Sequence, residues 1–287
     1  VRGEFVDLDG VRVYCHAAGT RGRGAPVVLL HGAFTSSHLW EDVVPHLPAG
    51  HRILMVDLAG HGRSDAPGAH APTVARHAAL VGALLAYFGV EGATCVGHDL
   101  GAAIALRAAR EFPARVARVV AVSPALVTPG GRNLPPPLRR VAMGRPLLER
   151  LSPGWLASAL HAALLPGFVH RAQGARTLDQ HLLPFRTAAG RRAAAAQLAA
   201  LAAPGERTPP APCPVTVVVG EHDRWGRRAA AALVAVGAAP GAPPATVEVV
   251  AGVGRMLPHE APDTLASLVA RGMGSPPTER ADVPGGD

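Results

Sequence analysis

The chain has 287 residues, enough for one large domain or two small ones and for a sizeable buried core. Hydrophobic residues make up 48% and charged residues 17%, which excludes a disordered chain, a collagen, a coiled coil and an acidic tail. The formal charge is +7, but all 28 basic residues are arginine, beside 33 glycines and 28 prolines, so the charge partly reflects the codon usage of a GC-rich genome. No helix-turn-helix signature, zinc finger or basic-aromatic stripe accompanies it, and no nucleic-acid partner is expected. The Ala-rich runs at 78–88 and 193–203 fall short of the ~18–20 apolar residues that a bilayer requires. The opening VRGEFVDLDG has no apolar stretch after its charge, so the expectation is a cytoplasmic protein with no secretory leader and no membrane partner. Cys15, Cys95 and Cys213 are odd in number and far apart, which predicts reduced, mostly buried thiols.

In chain order, alternating or short apolar runs predict strands at 4–8, 11–16, 26–31, 51–57, 93–97, 116–122, 214–219 and 246–251. The first two read as a hairpin turning at Asp9-Gly10. Amphipathic stretches predict helices at about 38–47, 73–89, 100–111, 225–237 and 260–272. This alternation predicts an α/β fold with a mostly parallel sheet and an antiparallel start. Between 125 and 212 it breaks into helical runs punctuated by LPPPL, SPGW and LLPG, so this segment reads as a helical cap inserted into a core of 1–124 and 213–273. The insertion holds 11 arginines against Glu149, Asp179 and Glu206, a net +8, whereas the rest of the chain nets −1. From 274 to 287 the chain is polar and rich in proline and glycine, which predicts a floppy tail.

The chemistry concentrates at strand ends. Gly97-His98-Asp99-Leu100-Gly101 follows a strand and opens a helix, the setting of a nucleophile elbow, in which a sharp turn pushes the central side chain outward and small flanking residues avoid collision. The central residue is Asp, not Ser. His31-Gly32-Ala33-Phe34 ends the third strand, where the Ala33 N–H can be aimed at the elbow and, with the Leu100 N–H, form a two-donor anion pocket. DLAGHGRSD runs from Asp57 to Asp65, GEHDRW follows the strand at 214–219, and GVGRMLPHEAP follows the last strand. Together, over about 3–272, these ordered motifs resemble the alpha/beta-hydrolase fold, and the Asp elbow resembles its epoxide hydrolase and haloalkane dehalogenase branch.

That resemblance implies that Asp99 attacks an electrophilic carbon to form an ester, that a His-activated water hydrolyses it, and that Asp223 orients the His. The family pattern G-x-G-H-x-x-x-x-E-x-P is met here by Gly252-Val253-Gly254-Arg255, so Arg255 stands where the histidine should. An arginine cannot accept a proton from water at neutral pH, and losing a general base costs roughly 10²- to 10⁴-fold. Among other histidines, His259 reads as a solvated surface residue, His98 as packed beneath the elbow, and His31 and His61 as structural. His222, beside Asp223, is the least implausible stand-in. Cap histidines 161, 170 and 181 cannot be placed from sequence. No metal-ligand spacing is present and no cofactor is expected.

Two further departures bear on substrate. The resemblance implies cap tyrosines for epoxide activation, but the only tyrosines are Tyr14 and Tyr87; it implies halide-holding Trp and Asn where this chain has Leu100 and Ala33. Phe34 and Trp155 are candidates for a substrate pocket, although a lone aromatic such as Trp155, Trp40 or Trp225 more often belongs to the core. A basic cap would attract a carboxylate, a phenolate or the phosphopantetheine arm of a carrier protein, unless its arginines merely cover a solvated face. The expected partner is a small molecule, and an anionic one suits the cap. Three readings follow: an epoxide hydrolase-like enzyme with a degenerate triad, a non-hydrolytic cyclase, lyase or isomerase of secondary metabolism with Asp99 as base, or a catalytically silent binding protein using Arg255 as an anion anchor.

Overall fold

A computed structural model describes residues 2–19, 24–66, 71–125, 153–202, 210–236 and 239–273. The expected tail lies outside the described residues, as does much of the expected cap. Eight strands form one sheet: β1 (Arg2–Leu8), β2 (Val11–Ala18), β3 (Gly24–Leu30), β4 (His51–Val56), β5 (Ala93–His98), β6 (Val116–Val122), β7 (Val215–Gly220) and β8 (Thr246–Val250). Their spatial order is β1-β2-β4-β3-β5-β6-β7-β8, with β1 and β2 antiparallel and β4, β3 and β5 to β8 parallel. The hairpin pairs Leu8 with Val11 across a two-residue turn in which Asp9 has φ 53° and Gly10 φ 73°. Two left-handed residues in succession give the turn whose twist matches the strands, which is why Asp-Gly occupies it.

The middle strands are buried on both faces and therefore read as continuous apolar runs. Val27 to Leu30 of β3 and Val119 to Val122 of β6 are wholly inside, and so is every residue of β5. β8, at the sheet edge, keeps Val247 and Val249 exposed. Covering helices are α1 (Val74–Tyr87), capped by the Thr73 side chain accepting from the Arg76 N–H at 3.1 Å, and α2 (Leu100–Glu111). Between β6 and β7, which pair directly, come α3 (Pro153–Leu164), α4 (Arg171–Leu182) and α5 (Ala188–Ala202); α6 (Arg224–Val236) follows β7. The three inserted helices have no strand among their described residues.

Two expected helices are built differently. The segment 38–47 forms two 3-10 turns, Ser37–Trp40 and Val44–His46, because Pro45 lacks the N–H that a continuous helix would use there. The last helix divides into α7 (Leu257–Glu260) and α8 (Pro262–Ala270), since Pro262 forces its predecessor Ala261 out of helical geometry, to φ −146° and ψ 62°. Trp40 is buried, whereas Trp155 and Trp225 are 45% and 42% exposed, so the expectation that a lone tryptophan belongs to the core holds for Trp40 alone. All three cysteines are buried and unpaired.

Loops that follow β3 and β5 diverge at the point where the chain order reverses, β4 lying on one side of β3 and β5 on the other. Such a crevice at the carboxyl ends of parallel strands is where open α/β sheets place their sites. Leu29, wholly buried, lies one residue before the carboxyl end of β3. Truncating it in Leu29→Ala is expected to cost about 2–5 kcal/mol of unfolding free energy, measured by urea titration, through lost burial and a cavity the packed sheet cannot close.

Candidate functional site

Four strand ends supply the site. Asp99 directly follows β5 and adopts φ 53° and ψ −113°, a left-handed conformation unusual for a residue with a side chain. The turn fits because its neighbours lack Cβ atoms: one on Gly97 would stand 2.2 Å from the Gly101 oxygen, and one on Gly101 would stand 2.3 Å from the Leu30 oxygen. Ala33, in the turn after β3, donates its N–H to Asp99 Oδ2 at 3.1 Å. Leu100 is the first residue of α2, so its N–H has no intrahelical acceptor.

Arg255, in the turn after β8, hydrogen-bonds Asp99 Oδ1 through Nη2. Its Nη1 reaches Asp223, in the turn after β7, at 3.3 and 3.4 Å. Asp223 is buried at the start of α6, where Oδ1 accepts the N–H groups of Trp225 and Gly226 at 3.1 and 2.9 Å. The structure thus brings Asp99, Asp223, Arg255 and Ala33 together in one contiguous group. Phe34, with φ 60°, is buried edge-on against Phe185 of the insertion at 5.9 Å between ring centroids. Trp155 lies on α3 and is exposed.

Burial alone would push the Asp99 carboxyl up, but the charge of Arg255 and the hydrogen bonds from Arg255 and Ala33 outweigh it and hold the group below its ordinary value. Burial works against the Arg255 charge as well, and the two carboxylates overcome it, so the guanidinium is more firmly protonated than usual. The group is therefore two anions around one cation. Arg255 can orient and neutralise, but it cannot shuttle a proton.

Histidines surround this group without entering it. His98 is buried, with Nε2 3.0 Å from the Arg255 carbonyl oxygen, and burial lowers it to about 4. His31 accepts the Leu58 N–H on Nε2 at 2.9 Å and, like His61, is lowered to about 3 by burial. His222 stays on the surface beside Glu221. His259 is buried, which corrects the expectation of a solvated residue: the Pro258-led turn of α7 directs it inward, onto Phe168 and His181 of the insertion. Ser36 and Asp42 belong to none of the sequence motifs, and Glu260 is marked there only as the glutamate of G-x-G-H-x-x-x-x-E-x-P. Glu260 Oε1 accepts the N–H groups of Val169 and His170 at 2.6 and 3.2 Å, and Oε2 accepts that of Gly254 at 2.8 Å. Its only sequence signal was a place in GVGRMLPHEAP, which names no partner. Among the described residues no group of three or more His, Cys, Asp or Glu side chains could hold a metal ion, and no helix is long and apolar enough to cross a membrane.

Two outcomes are expected. In Arg255→Gln, burial of Asp99 loses its largest opposition and only lesser contributions such as the Ala33 N–H remain, so its carboxyl should titrate higher than in the native chain when followed by carbon NMR. In the native chain the depressed Asp99 favours folding above about pH 4, a contribution lost as pH falls through its folded value. Acid should also act earlier, through His31, His61, His77 and His98, which burial lowers to about 3, 3, 3 and 4. Above about pH 6.5 they are neutral whether folded or not; below it the unfolded chain binds protons that the fold refuses. Urea titrations should show stability falling between about pH 6 and 4 by up to about 1.4 kcal/mol per pH unit for each such histidine.

A family model described as the alpha/beta hydrolase fold matches residues 25–150. An uncharacterized protein of Mycobacterium tuberculosis is 36% identical over 118 residues, which is 41% of this chain and 34% of that protein. A haloalkane dehalogenase of Mycobacterium marinum is 40% identical over 112 residues, 38% of each chain. The chain thus spans only about a third of the length of the curated relatives it matches. Among solved structures, an alpha/beta hydrolase fold protein from Burkholderia ambifaria is similar with a TM-score of 0.76 at 27% identity, covering 93% of this chain and 96% of that one. Strand order, crevice and these likenesses agree: the chain has the alpha/beta-hydrolase fold.

Proposed function

We propose that this protein is a hydrolase-fold enzyme of the epoxide hydrolase and haloalkane dehalogenase kind, with Asp99 as nucleophile and Arg255 in place of the triad base. The observation that carries the reading is the conformation of Asp99, a carboxylate in the left-handed region at the tip of a strand-to-helix turn. A structural aspartate gains nothing from such strain, whereas a nucleophile gains exposure of its oxygen to substrate. Likeness to the Mycobacterium marinum haloalkane dehalogenase supports the same branch.

Under this reading, Asp99 Oδ1 turns from Arg255 to an electrophilic carbon; a C–O bond forms as the carbon–halogen bond breaks and halide departs, or as the epoxide C–O bond breaks and the freed oxygen takes a proton from water. Ala33 and Leu100 N–H groups then hold the ester carbonyl oxygen, and Asp223 retains Arg255 as Asp99 becomes neutral. Hydrolysis of the ester needs a base that Arg255 is not, so the covalent intermediate persists. A second reading is favoured by the same ion pair: a carboxylate kept ionised by Arg255 can act as a base in a non-hydrolytic cyclase, lyase or isomerase. An anion anchor is less well served, because Asp99 and Asp223 already take up the Arg255 charge and leave the group at net −1. The basic cap adds little to the argument, since residues 132, 139, 140, 145, 150 and 207, six of its 11 arginines, lie outside the described residues.

Intact-protein mass spectrometry with small epoxides and haloalkanes tests the nucleophile. The expected result is an adduct that maps to Asp99, persists in the native chain and is absent from Asp99→Asn. Arg255→His should shorten its life and raise turnover by about 10²-fold or more. Absence of an adduct with every electrophile tried would overturn the nucleophile and leave the proton-transfer reading.

A further inference from the structure

Outside the Asp99 group, a second set of reactive side chains spans the seam between core and insertion. Ser36 Oγ lies 3.1 Å from His181 Nδ1, His181 Nε2 lies 3.1 Å from His259 Nε2, and His259 Nδ1 lies 3.4 Å from Asp42 Oδ2. Ser36, His181 and His259 are buried, whereas the Asp42 side chain is 62% exposed. Ser36 and Asp42 flank the 3-10 turn after β3, His181 lies on α4 and His259 on α7.

Asp42 decides where the protons sit. Its carboxylate only accepts, so His259 carries its proton on Nδ1 and presents Nε2 as an acceptor. His181 must then donate from Nε2, which leaves its Nδ1 to accept from the Ser36 hydroxyl. Each donor faces one acceptor, all in one direction, from Ser36 out to Asp42. Burial lowers both histidines, so both are neutral at pH 7, and Phe168 stacks on His259 with ring planes 18° apart. A hydroxyl within hydrogen-bond reach of a neutral base, itself oriented by further groups, is the arrangement of an activated nucleophile.

We propose that Ser36 is a second nucleophile of this protein, accepting acyl groups from small esters, with His181, His259 and Asp42 as its proton relay. Ser36 Oγ attacks the ester carbonyl carbon while its proton passes to His181 Nδ1 and the His181 Nε2 proton passes to His259 Nε2. The positive charge comes to rest on His259, now protonated on both nitrogens, beside the Asp42 carboxylate. The ester oxygen leaves as an alcohol, regaining a proton by the reverse transfer. Water then attacks the acyl-serine through the same relay, so that ester and water become acid and alcohol. Neither Asp99 nor Arg255 takes part, and the inference does not depend on how that group is read.

The test is labelling of the full chain with a small alkyl fluorophosphonate, which a competent serine attacks at phosphorus with loss of fluoride. A single phosphonyl adduct is expected by intact mass, mapped to the peptide containing Ser36 and absent from Ser36→Ala. His181→Gln should slow the labelling by about 10²- to 10⁴-fold. Asp42→Asn, at an exposed position where folding is not at stake, should slow it by at least about 10-fold. Absence of label at Ser36 in the native chain, or labelling of Asp42→Asn at the native rate, would overturn the proposal.

Discussion

A guanidinium held between two carboxylates organises the upper face of this sheet. Arg255 bridges Asp99 and Asp223, and so ties together the turns after β5, β7 and β8. Asp223 is buried, and the Asp99 and Arg255 side chains are mostly so, which makes each charge tolerable only in the company of the others. Backbone donors complete the arrangement, Ala33 on Asp99 and the start of α6 on Asp223. A histidine there would offer two nitrogens and a proton to exchange. Arginine offers a fixed charge and more donors, so Arg255 cross-links the two carboxylates and transfers no proton.

The same turn fastens the inserted helices. Gly167 accepts the N–H groups of Arg255 and Met256 at 2.8 and 3.2 Å, Glu260 reaches back to Val169 and His170, and His259 meets His181. Within six residues the chain contacts the elbow, the acid after β7 and the insertion. A shift of the inserted helices therefore has a direct mechanical path to the Arg255 ion pairs, through backbone bonds rather than through long side chains. Phe34 and Phe185 close the seam from the β3 side, with His61 packed against both rings.

Neutral histidines fill the space that a larger aromatic content would otherwise occupy. His31, His61 and His77 form a row with ring centroids 5.2 and 6.5 Å apart, all buried and all disfavouring protonation. Aromatic residues are only 4% of the chain, so imidazole rings serve as flat packing surfaces that can also accept or donate a backbone bond. His31 shows the combination, with Nε2 accepting from Leu58 and its other face against His61. The cost is that each ring must remain uncharged for the core to remain closed.

How much was legible in the sequence depended on the range of the cause. All eight strands were readable because β3, β5 and β6 are apolar runs and β1 and β2 alternate, and those patterns are set by local burial. The Gly97 and Gly101 spacing marked the elbow because a Cβ at either position meets backbone within a few residues or on the adjacent strand. Helix breaks at Pro45 and Pro262 are equally local, but amphipathic periodicity runs across both and masks them. The environment of His259 was not local at all. Whether that ring faces water or Phe168 depends on where the insertion settles, and nothing in the spacing of GVGRMLPHEAP fixes it. By itself the sequence determined the order of elements, the Gly97-His98-Asp99-Leu100-Gly101 turn and the presence of Arg255 after the last strand, since backbone sterics and side-chain identity act over a few residues. Only the tertiary structure decided that Arg255 is shared by two carboxylates and that Ser36, His181, His259 and Asp42 align, because those distances are set by packing of segments as many as 217 residues apart.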